Sequence, residues 1–213
     1  MIIVGLTGNL ASGKTEAAKY FKKSGAQVVD ADEIARKLTR KGKPLLKAIL
    51  KVFGKEFADK RGQLDRKKLA LHVFSHPKDL KKLMVIVHPG VIVEAFKVVE
   101  KTRAKKGLLI LDAPLLFETK MEKLADFTAV VKASEANMLS RASRRGIPSA
   151  LARKILAAQW PAAKKARLAD FVIDNNGTLQ ELEQQVKGVM EKIFKVQRDR
   201  ESVYALRKIQ TTQ

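Results

Sequence analysis

The sequence predicts an α/β fold built on a parallel five-stranded sheet that is flanked by helices. Five short apolar runs, each followed by polar or turn-forming residues, are typical of buried parallel strands. The first run leads through a glycine-rich loop into a helical segment, and the second run follows directly. This βαβ opening implies parallel strands joined by right-handed crossovers. A length of 213 residues suits one such domain with one or two insertions.

The predicted strands are the apolar runs themselves, at residues 2–7, 27–30, 107–111, 127–131 and 171–173. Asp30 follows the second run and Asp112 follows the third. In open α/β sheets the carboxyl ends of the strands face the ligand crevice, so these carboxylates are candidates for function.

Helical patterns occupy the remaining segments. A first helix is predicted from Thr15 to Lys23, with Gly25 as its stop signal. Residues 34–102 show helical patterns punctuated by glycine and proline, and residues 136–168 form a second helical segment rich in arginine and lysine. The last helix repeats apolar residues at helical spacing, a stripe typical of a core-facing helix: Leu179, Leu182, Val186, Met190 and Ile193.

The composition restricts the possible functions. The absence of cysteine excludes disulfides and thiolate chemistry, and three scattered histidines do not indicate a zinc site. No apolar run approaches the roughly 18 residues of a membrane span, and no basic segment precedes the first apolar run, so we expect a cytoplasmic protein. The net charge of +21 favours anionic partners such as nucleotides, phosphorylated metabolites, nucleic acids or acidic membrane surfaces, unless it reflects only solvated helix faces.

A phosphate-binding motif, G-x-x-x-x-G-K-[ST], lies between Gly8 and Thr15 with every fixed position filled. Its glycines let backbone N–H groups curve around phosphate oxygens, Lys14 can neutralise the β and γ phosphates, and the Thr15 hydroxyl can ligate Mg²⁺. A strand before it and a helix after it argue against a chance match. We therefore predict a P-loop NTPase-type fold whose loop binds a nucleoside triphosphate through Gly8, Asn9, Leu10, Ala11, Ser12, Gly13, Lys14 and Thr15.

Two aspartates near the strand ends each allow two interpretations. Asp32 could orient or deprotonate a hydroxyl that attacks the γ-phosphate, or it could cap a helix that begins at Glu33. Asp112 could hold Mg²⁺ through water, or it could simply end the third strand. The spacing alone does not decide between them.

A group of arginines precedes Gly146 in the second helical segment. Arg141, Arg144 and Arg145 could close over a triphosphate on a mobile flap, or they could form a solvated basic face. His88 precedes Pro89 in the first helical segment, where chemistry alone indicates a packing or turn residue.

Four motifs in order resemble the dephospho-coenzyme A kinase family. They are the D-A-D-x-I-A-R-like stretch from Asp30 to Arg36, the His88-Pro89 pair, the D-x-P-L-L-F-E stretch from Asp112 to Glu118, and Ala169 to Asn175. The resemblance covers about residues 2 to 177. It implies ATP-dependent phosphorylation of the ribose 3′-hydroxyl of dephospho-coenzyme A, the last step of coenzyme A biosynthesis, with ATP and Mg²⁺ as cofactors.

The same resemblance implies a role for individual parts of the chain. Residues 1–35, 99–135 and 169–213 would form the nucleotide-binding core, residues 36–98 the helical acceptor domain, and residues 136–168 the lid. The catalytic residues would be Asp32, Lys14 and Arg141, with Mg²⁺ held by Thr15 and Asp112. Glu16, Arg145 and Asn175 would contact ATP, and the acceptor would be bound by Asp32, Arg36, His88 and Leu116.

Some positions depart from the family pattern. Asn9 and Ala11 stand where further glycines are usual in the loop, Gly146 stands where an acidic residue is common, and Lys164 replaces a frequent glutamate. Two rival functions are another P-loop kinase that acts on a metabolite, nucleoside or nucleotide, and a nucleotide-gated nucleic-acid-binding protein. The second is disfavoured because no RNA-binding motif is present and aromatic residues make up only 6% of the chain.

Overall fold

The computed structural model describes the backbone of residues 1–210 and the side chains of residues 1–199. The last segment of the predicted nucleotide-binding core, residues 169–213, therefore ends three residues outside the described backbone. The five strands form one sheet in the order β2-β3-β1-β4-β5, and every neighbouring pair is parallel. This confirms the predicted fold class. The strands are β1 (Ile2–Gly8), β2 (Gln27–Asp30), β3 (Leu108–Asp112), β4 (Phe127–Lys132) and β5 (Phe171–Asp174).

Helices cover both faces of the sheet and form the two inserted segments. Within the described residues they are α1 (Lys14–Lys23), α2 (Ala31–Leu38), α3 (Pro44–Phe53), α4 (Arg66–Val73), α5 (Pro77–Arg103), α6 (Glu135–Arg144), α7 (Ser149–Ala158), α8 (Ala162–Leu168) and α9 (Leu179–Gln210). In the same residues, no helix is long and apolar enough to cross a membrane.

The core lies on the two faces of the sheet because β1, β3 and β4 are buried along most of their length. On one face, α1 and α9 pack through Phe21, Leu182, Val186 and Ile193. On the other face, α2 and α5 pack near Leu111. The predicted apolar stripe of α9 is confirmed except at its first member, since Leu179 is 59% exposed.

Helices α3 to α5 enclose a second, smaller core that contains Ile49, Phe57 and Val73. Helix α5 continues from this inserted part into the main domain, where its fully buried Val99 packs against Ile3 and Leu109 of the sheet. The predicted boundary at residue 98 therefore falls inside a continuous helix. The assignment of the three parts to acceptor, donor and lid stays a prediction.

The register of the sheet gathers the candidate carboxylates. Asp112 is the register partner of both Leu6 on β1 and Asp30 on β2. Because β1 leads directly into the P-loop, the carboxylates at the ends of β2 and β3 lie beside that loop.

Candidate active site

The P-loop connects β1 to α1 in a closely packed conformation. Gly13 has φ of +100°, in the left-handed region that favours glycine. A Cβ atom on Gly8 would lie 2.5 Å from the Ser12 hydroxyl oxygen and 2.7 Å from the carbonyl oxygen of Val131. Ala11 also has a positive φ, +56°, so this departure from the family pattern adds backbone strain to the loop.

Several polar groups of this loop fit an anionic ligand. The first N–H groups of a helix lack partners within the helix, and those of α1 start at the loop. The buried Ser12 hydroxyl has no hydrogen-bond partner within the described part of the chain, nor has the buried Oδ1 atom of Asn9. Such buried polar groups are normally satisfied by a partner. The N–H groups and the hydroxyl can donate to phosphate oxygens.

The end of β5 and helix α6 hold the loop on one side. The buried Asn175 donates its side-chain N–H to the Ser12 carbonyl at 2.7 Å. Arg141 of α6 donates to the Asn175 carbonyl at 2.9 Å and to the Ser12 carbonyl at 3.4 Å. The structure therefore brings Arg141 and Asn175 to the P-loop.

The connection between α7 and α8 holds the loop on its other side. The backbone N–H of Leu10 donates to the side-chain oxygen of Gln159 at 2.9 Å. The side-chain amide of Asn9 donates to the carbonyl of Trp160 at 3.0 Å. Asn9 thus gains a tertiary contact that glycine could not make.

Lys14 forms an ion pair with Asp112 at the end of β3. Asp112 is buried, and this burial raises the pKa of its carboxyl, while the Lys14 ammonium opposes the rise. The exposed Thr15 lies next to Lys14 at the start of α1. A protein cage of three or more carboxylate, histidine or cysteine ligands is absent among residues whose side chains are described. This donor set suits Mg²⁺, which uses one or two protein oxygens together with substrate phosphates and water.

Asp30, and not Asp32, caps the helix that follows β2. The Asp30 side chain accepts hydrogen bonds from the backbone N–H groups of Asp32 at 2.7 Å and of Glu33 at 3.3 Å. The helix begins at Ala31, so the capping interpretation of Asp32 is wrong. The Asp32 carboxyl is open to a cleft, yet the surrounding protein removes enough water to raise its pKa, an effect that Lys14 opposes.

A cavity of about 370 Å³ lies next to Asp32, between the inserted helices, the segment after β3 and helix α7. Its polar lining includes Asp32, Arg66 and His88. Burial lowers the pKa of His88, although Glu118 opposes this shift. The wall is otherwise mainly apolar, with Leu80, Leu83, Met84, Val87, Leu115 and Ile155 among its residues.

A sequence model of the family described as "Dephospho-CoA kinase" matches residues 2–181. The chain belongs to the dephospho-CoA kinase family. A dephospho-CoA kinase of Acinetobacter baylyi is 41% identical over 187 residues, which cover 87% of this chain and 95% of that protein. One of Enterococcus faecalis is 39% identical over 190 residues, covering 89% and 96%. The crystal structure of TT1252 from Thermus thermophilus is 33% identical with a TM-score of 0.71, covering 90% of this chain and 97% of that one.

Membership in the dephospho-CoA kinase family confirms the predicted family and enzyme class, a kinase. The structure itself identifies a cavity residue that was not predicted, Arg66. Arg66 donates to the Thr39 hydroxyl at 2.6 Å and to the Arg36 carbonyl at 3.3 Å. Partial burial lowers the pKa of Arg66, and so does the nearby Arg36 charge. Arg66 lies in a stretch, Gly62 to Arg66, that follows the family pattern, but nothing in its spacing assigned it a role among 43 basic residues.

Leu116 occupies a different place from that expected of an acceptor-binding residue. Its side chain is fully buried in the core, where a Cβ atom on Gly5 would lie 2.8 Å from it. The neighbouring Leu115 lines the cavity instead. The structure thus gives Leu116 a packing role, and of the two leucines it is Leu115 that lines the cavity.

Two predicted ATP contacts lie at the surface. Glu16, in the first turn of α1, forms an ion pair with Lys19 at 2.8 Å. Arg145 is exposed at the C-terminal end of α6 and lies outside the set of residues that line the cavity. Arg145 is not brought to the P-loop as Arg141 is, whereas Glu16 directly follows Thr15, and its backbone N–H donates to the Gly13 carbonyl at 3.0 Å.

Proposed function

We propose that this chain transfers the γ-phosphoryl group of ATP to the ribose 3′-hydroxyl of dephospho-CoA, giving coenzyme A and ADP. One observation carries the proposal: Asp32 lies between the P-loop lysine and the apolar cavity. It interacts electrostatically with Lys14, and it lines the cavity. A hydroxyl held at Asp32 would therefore face the phosphates bound by the loop.

The P-loop binds the donor. Backbone N–H groups at the start of α1 and the Ser12 hydroxyl donate to the phosphates, and Lys14 exchanges its contact with Asp112 for one with the β and γ phosphates. Thr15 and Asp112 would hold Mg²⁺, which would supply positive charge to the phosphates. Asn175, at the end of β5, lies on the side of the loop where the adenine would be bound.

Asp32 orients the attacking hydroxyl. Phosphoryl transfer passes through a loose transition state, so positioning contributes more than early proton removal. The bond between the γ-phosphorus and the oxygen of ADP breaks, the bond to the 3′-oxygen forms, and the hydroxyl proton passes late to the Asp32 carboxylate. A raised pKa makes this carboxylate a better proton acceptor.

Arg141 stabilises the negative charge that develops on the transferred group. Its contacts with the Ser12 and Asn175 carbonyls place the guanidinium at the P-loop before the substrates bind. Closure of the segment 136–168 would then exclude water, which competes with the hydroxyl as a nucleophile. Arg145, at the C-terminal end of α6, would reach ATP only through such a movement.

The cavity holds the acceptor. Arg36 and Arg66 place two positive charges near Asp32, which suits the diphosphate that joins the adenosine and pantetheine parts of dephospho-CoA. His88 and Leu115 line the same cavity, whose apolar wall suits the pantetheine arm. A lowered pKa keeps His88 neutral at physiological pH, so it acts as a hydrogen-bonding group and not as a cation.

The test is a panel of acceptors incubated with Mg·ATP. ADP formation is measured with dephospho-CoA, adenosine, a nucleoside monophosphate and a sugar acid, with Asp32→Asn as the inactive control. The proposal requires the highest kcat/KM for dephospho-CoA. ADP formation with another acceptor, together with none from dephospho-CoA, would refute it.

A further inference from the structure

Lys165 of α8 is a fully buried lysine, at 0% exposure. Lysine is almost never fully buried without a partner, because an unpaired charge in the interior is costly. Its ammonium donates to Oε1 of Glu118 at 2.9 Å and to the carbonyl of Pro114 at 2.7 Å. Burial lowers the pKa of Lys165, and Glu118 opposes that shift. The carboxylate itself is only 8% exposed, so the two residues form a buried ion pair.

The same carboxylate holds the connection between α7 and α8. Oε1 of Glu118 also accepts a hydrogen bond from the backbone N–H of Trp160 at 3.0 Å. The carbonyl of Trp160 in turn accepts from the Asn9 amide of the P-loop. Glu118 is therefore connected to the P-loop through a single intervening residue, Trp160.

The ammonium of Lys165 holds the wall of the acceptor cavity. The Pro114 carbonyl that it contacts also accepts from the Thr7 hydroxyl, at 3.1 Å, at the end of β1. Pro114 and Leu115 both line the cavity. Two hydrogen bonds to one carbonyl thus fix the cavity wall against the strand that carries the P-loop.

We propose that the Glu118–Lys165 ion pair positions the P-loop and the acceptor cavity relative to each other. The inference rests on the proposed function, since it concerns the alignment of donor and acceptor in that site. Glu118 and Lys165 are positioning residues, because neither belongs to the described residues that line the cavity. Buried ion pairs add little to stability compared with apolar replacements, so a role in geometry explains the pair better than a role in folding.

The experiment compares Lys165→Met with Glu118→Gln. Methionine keeps most of the lysine volume but removes the two hydrogen bonds that the ammonium donates, to Glu118 and to the Pro114 carbonyl. Glutamine keeps an oxygen that can accept from Trp160 and Lys165, and it removes the charge alone. Arg167→Met is the matched control, since it removes one positive charge from an exposed position of the same helix.

Two readouts are measured on each folded variant. Steady-state kinetics gives kcat and the KM of both substrates, and the fluorescence of Trp160, the single tryptophan of the chain, reports the position of the α7–α8 connection. A displacement of about 1 Å can cost on the order of 100-fold in rate, so we expect Lys165→Met to lower kcat by 10- to 100-fold. Its Trp160 emission maximum should also shift, and Arg167→Met should match the wild type in both.

A purely structural pair would give another result. Lys165→Met would then lower the melting temperature while kcat, both KM values and the Trp160 emission stayed as in the wild type, and that outcome overturns the proposal. If Lys165→Met does not fold, Glu118→Gln decides in the same way. An inactive wild-type protein would refute the proposed function, whereas the Trp160 emission of the variants would still test the positioning role.

Discussion

The side-chain amide of Asn175 donates a hydrogen bond to the Ser12 carbonyl at 2.7 Å, and this contact lies directly over Gly13. A Cβ atom on Gly13 would fall 1.8 Å from the Asn175 side-chain nitrogen. The requirement for glycine in this loop therefore has two causes. One is the positive φ of Gly13, and the other is the space taken by Asn175, the residue that directly follows β5.

Gly13→Ala should lower kcat/KM for ATP by at least about 10-fold, because a shift of the loop misplaces its phosphate-binding N–H groups. The left-handed conformation costs a non-glycine residue about 1–2 kcal/mol, and the displaced Asn175 adds to that. Gly25→Ala is the control: Gly25 has φ of +95°, yet no atom lies within 4 Å of its added Cβ. Chemical denaturation and ATP titration of both variants provide the measurement. Equal losses in the two would show that the Asn175 contact is unimportant.

Asp32→Asn should lower kcat by about 10²- to 10⁴-fold, the range for loss of a positioned general base, while ATP still binds. The same change should raise the melting temperature at pH 8. The pKa of Asp32 is raised above its ordinary value of 3.8, chiefly by burial, so its ionised form costs the folded state free energy once the pH exceeds the raised pKa. Below pH 3.8 the group is protonated in both states, and the cost disappears.

Thermal melts between pH 4 and pH 8 check the pH dependence. The stabilisation by Asp32→Asn should shrink as the pH falls, because the protonated carboxyl carries no charge to desolvate. A gain in melting temperature that is the same at all pH values would contradict the assignment of the raised pKa to Asp32.

The strands and the P-loop could be predicted because their signals are local. An apolar run followed by a turn residue identifies a buried strand wherever its neighbours lie, and β2 and β4 agree with the predicted ranges within a residue. The phosphate-binding motif likewise fixes its own loop, strand and helix. The capping residue of α2 was harder to predict, because a sequence locates a helix end only to within one or two residues. The helix starts at Ala31 and not at Glu33, so Asp30 takes the capping position in place of Asp32.

Other parts of the site depend on contacts between distant segments. Residues 114–120 form turns, without a strand or helix period, so no spacing shows which of Leu115 and Leu116 faces the cavity. Lys165 is one lysine in a very basic chain, and its burial follows from Glu118 and Pro114, which lie on another segment. The ordered motifs predicted the family correctly, but they carried no information on these pairings.

The two adjacent leucines should give opposite phenotypes. Leu116→Ala removes a fully buried side chain and should cost about 2–5 kcal/mol of stability, with the acceptor KM of the folded fraction unchanged. Leu115→Ala should raise the KM for dephospho-CoA and leave stability nearly intact, since Leu115 is only half-buried and lines the cavity. Urea denaturation and acceptor titration measure the two effects. A raised acceptor KM in Leu116→Ala alone would restore Leu116 as the acceptor-binding residue.

Lys14→Met should abolish turnover and also destabilise the protein that has no nucleotide bound. The Asp112 carboxylate would lose its cation, and breaking a buried pair costs about 3–5 kcal/mol. Lys14→Met combined with Asp112→Asn should recover most of that stability, because the buried charge is then removed as well. Turnover should stay absent in the double variant, since the phosphates still lack the ammonium. Recovery of turnover in the double variant would place the essential charge elsewhere.

Arg141→Met should lower kcat by about 10²- to 10³-fold, the usual effect of removing one donor that stabilises transition-state charge. Arg141 contacts the Ser12 and Asn175 carbonyls, whereas Arg144, three residues further along α6, contacts only the Ser140 hydroxyl among the described side chains and backbone groups. Arg144→Met is therefore the matched control, with the same loss of charge from the same helix and near-normal kcat expected.

Arg141→Lys should recover little of the lost kcat, because an ammonium cannot reproduce the planar geometry in which a guanidinium contacts two carbonyls and a phosphate. Equal kcat values for Arg141→Met and Arg144→Met would assign the effect to the net charge of the lid and would remove Arg141 from the catalytic set.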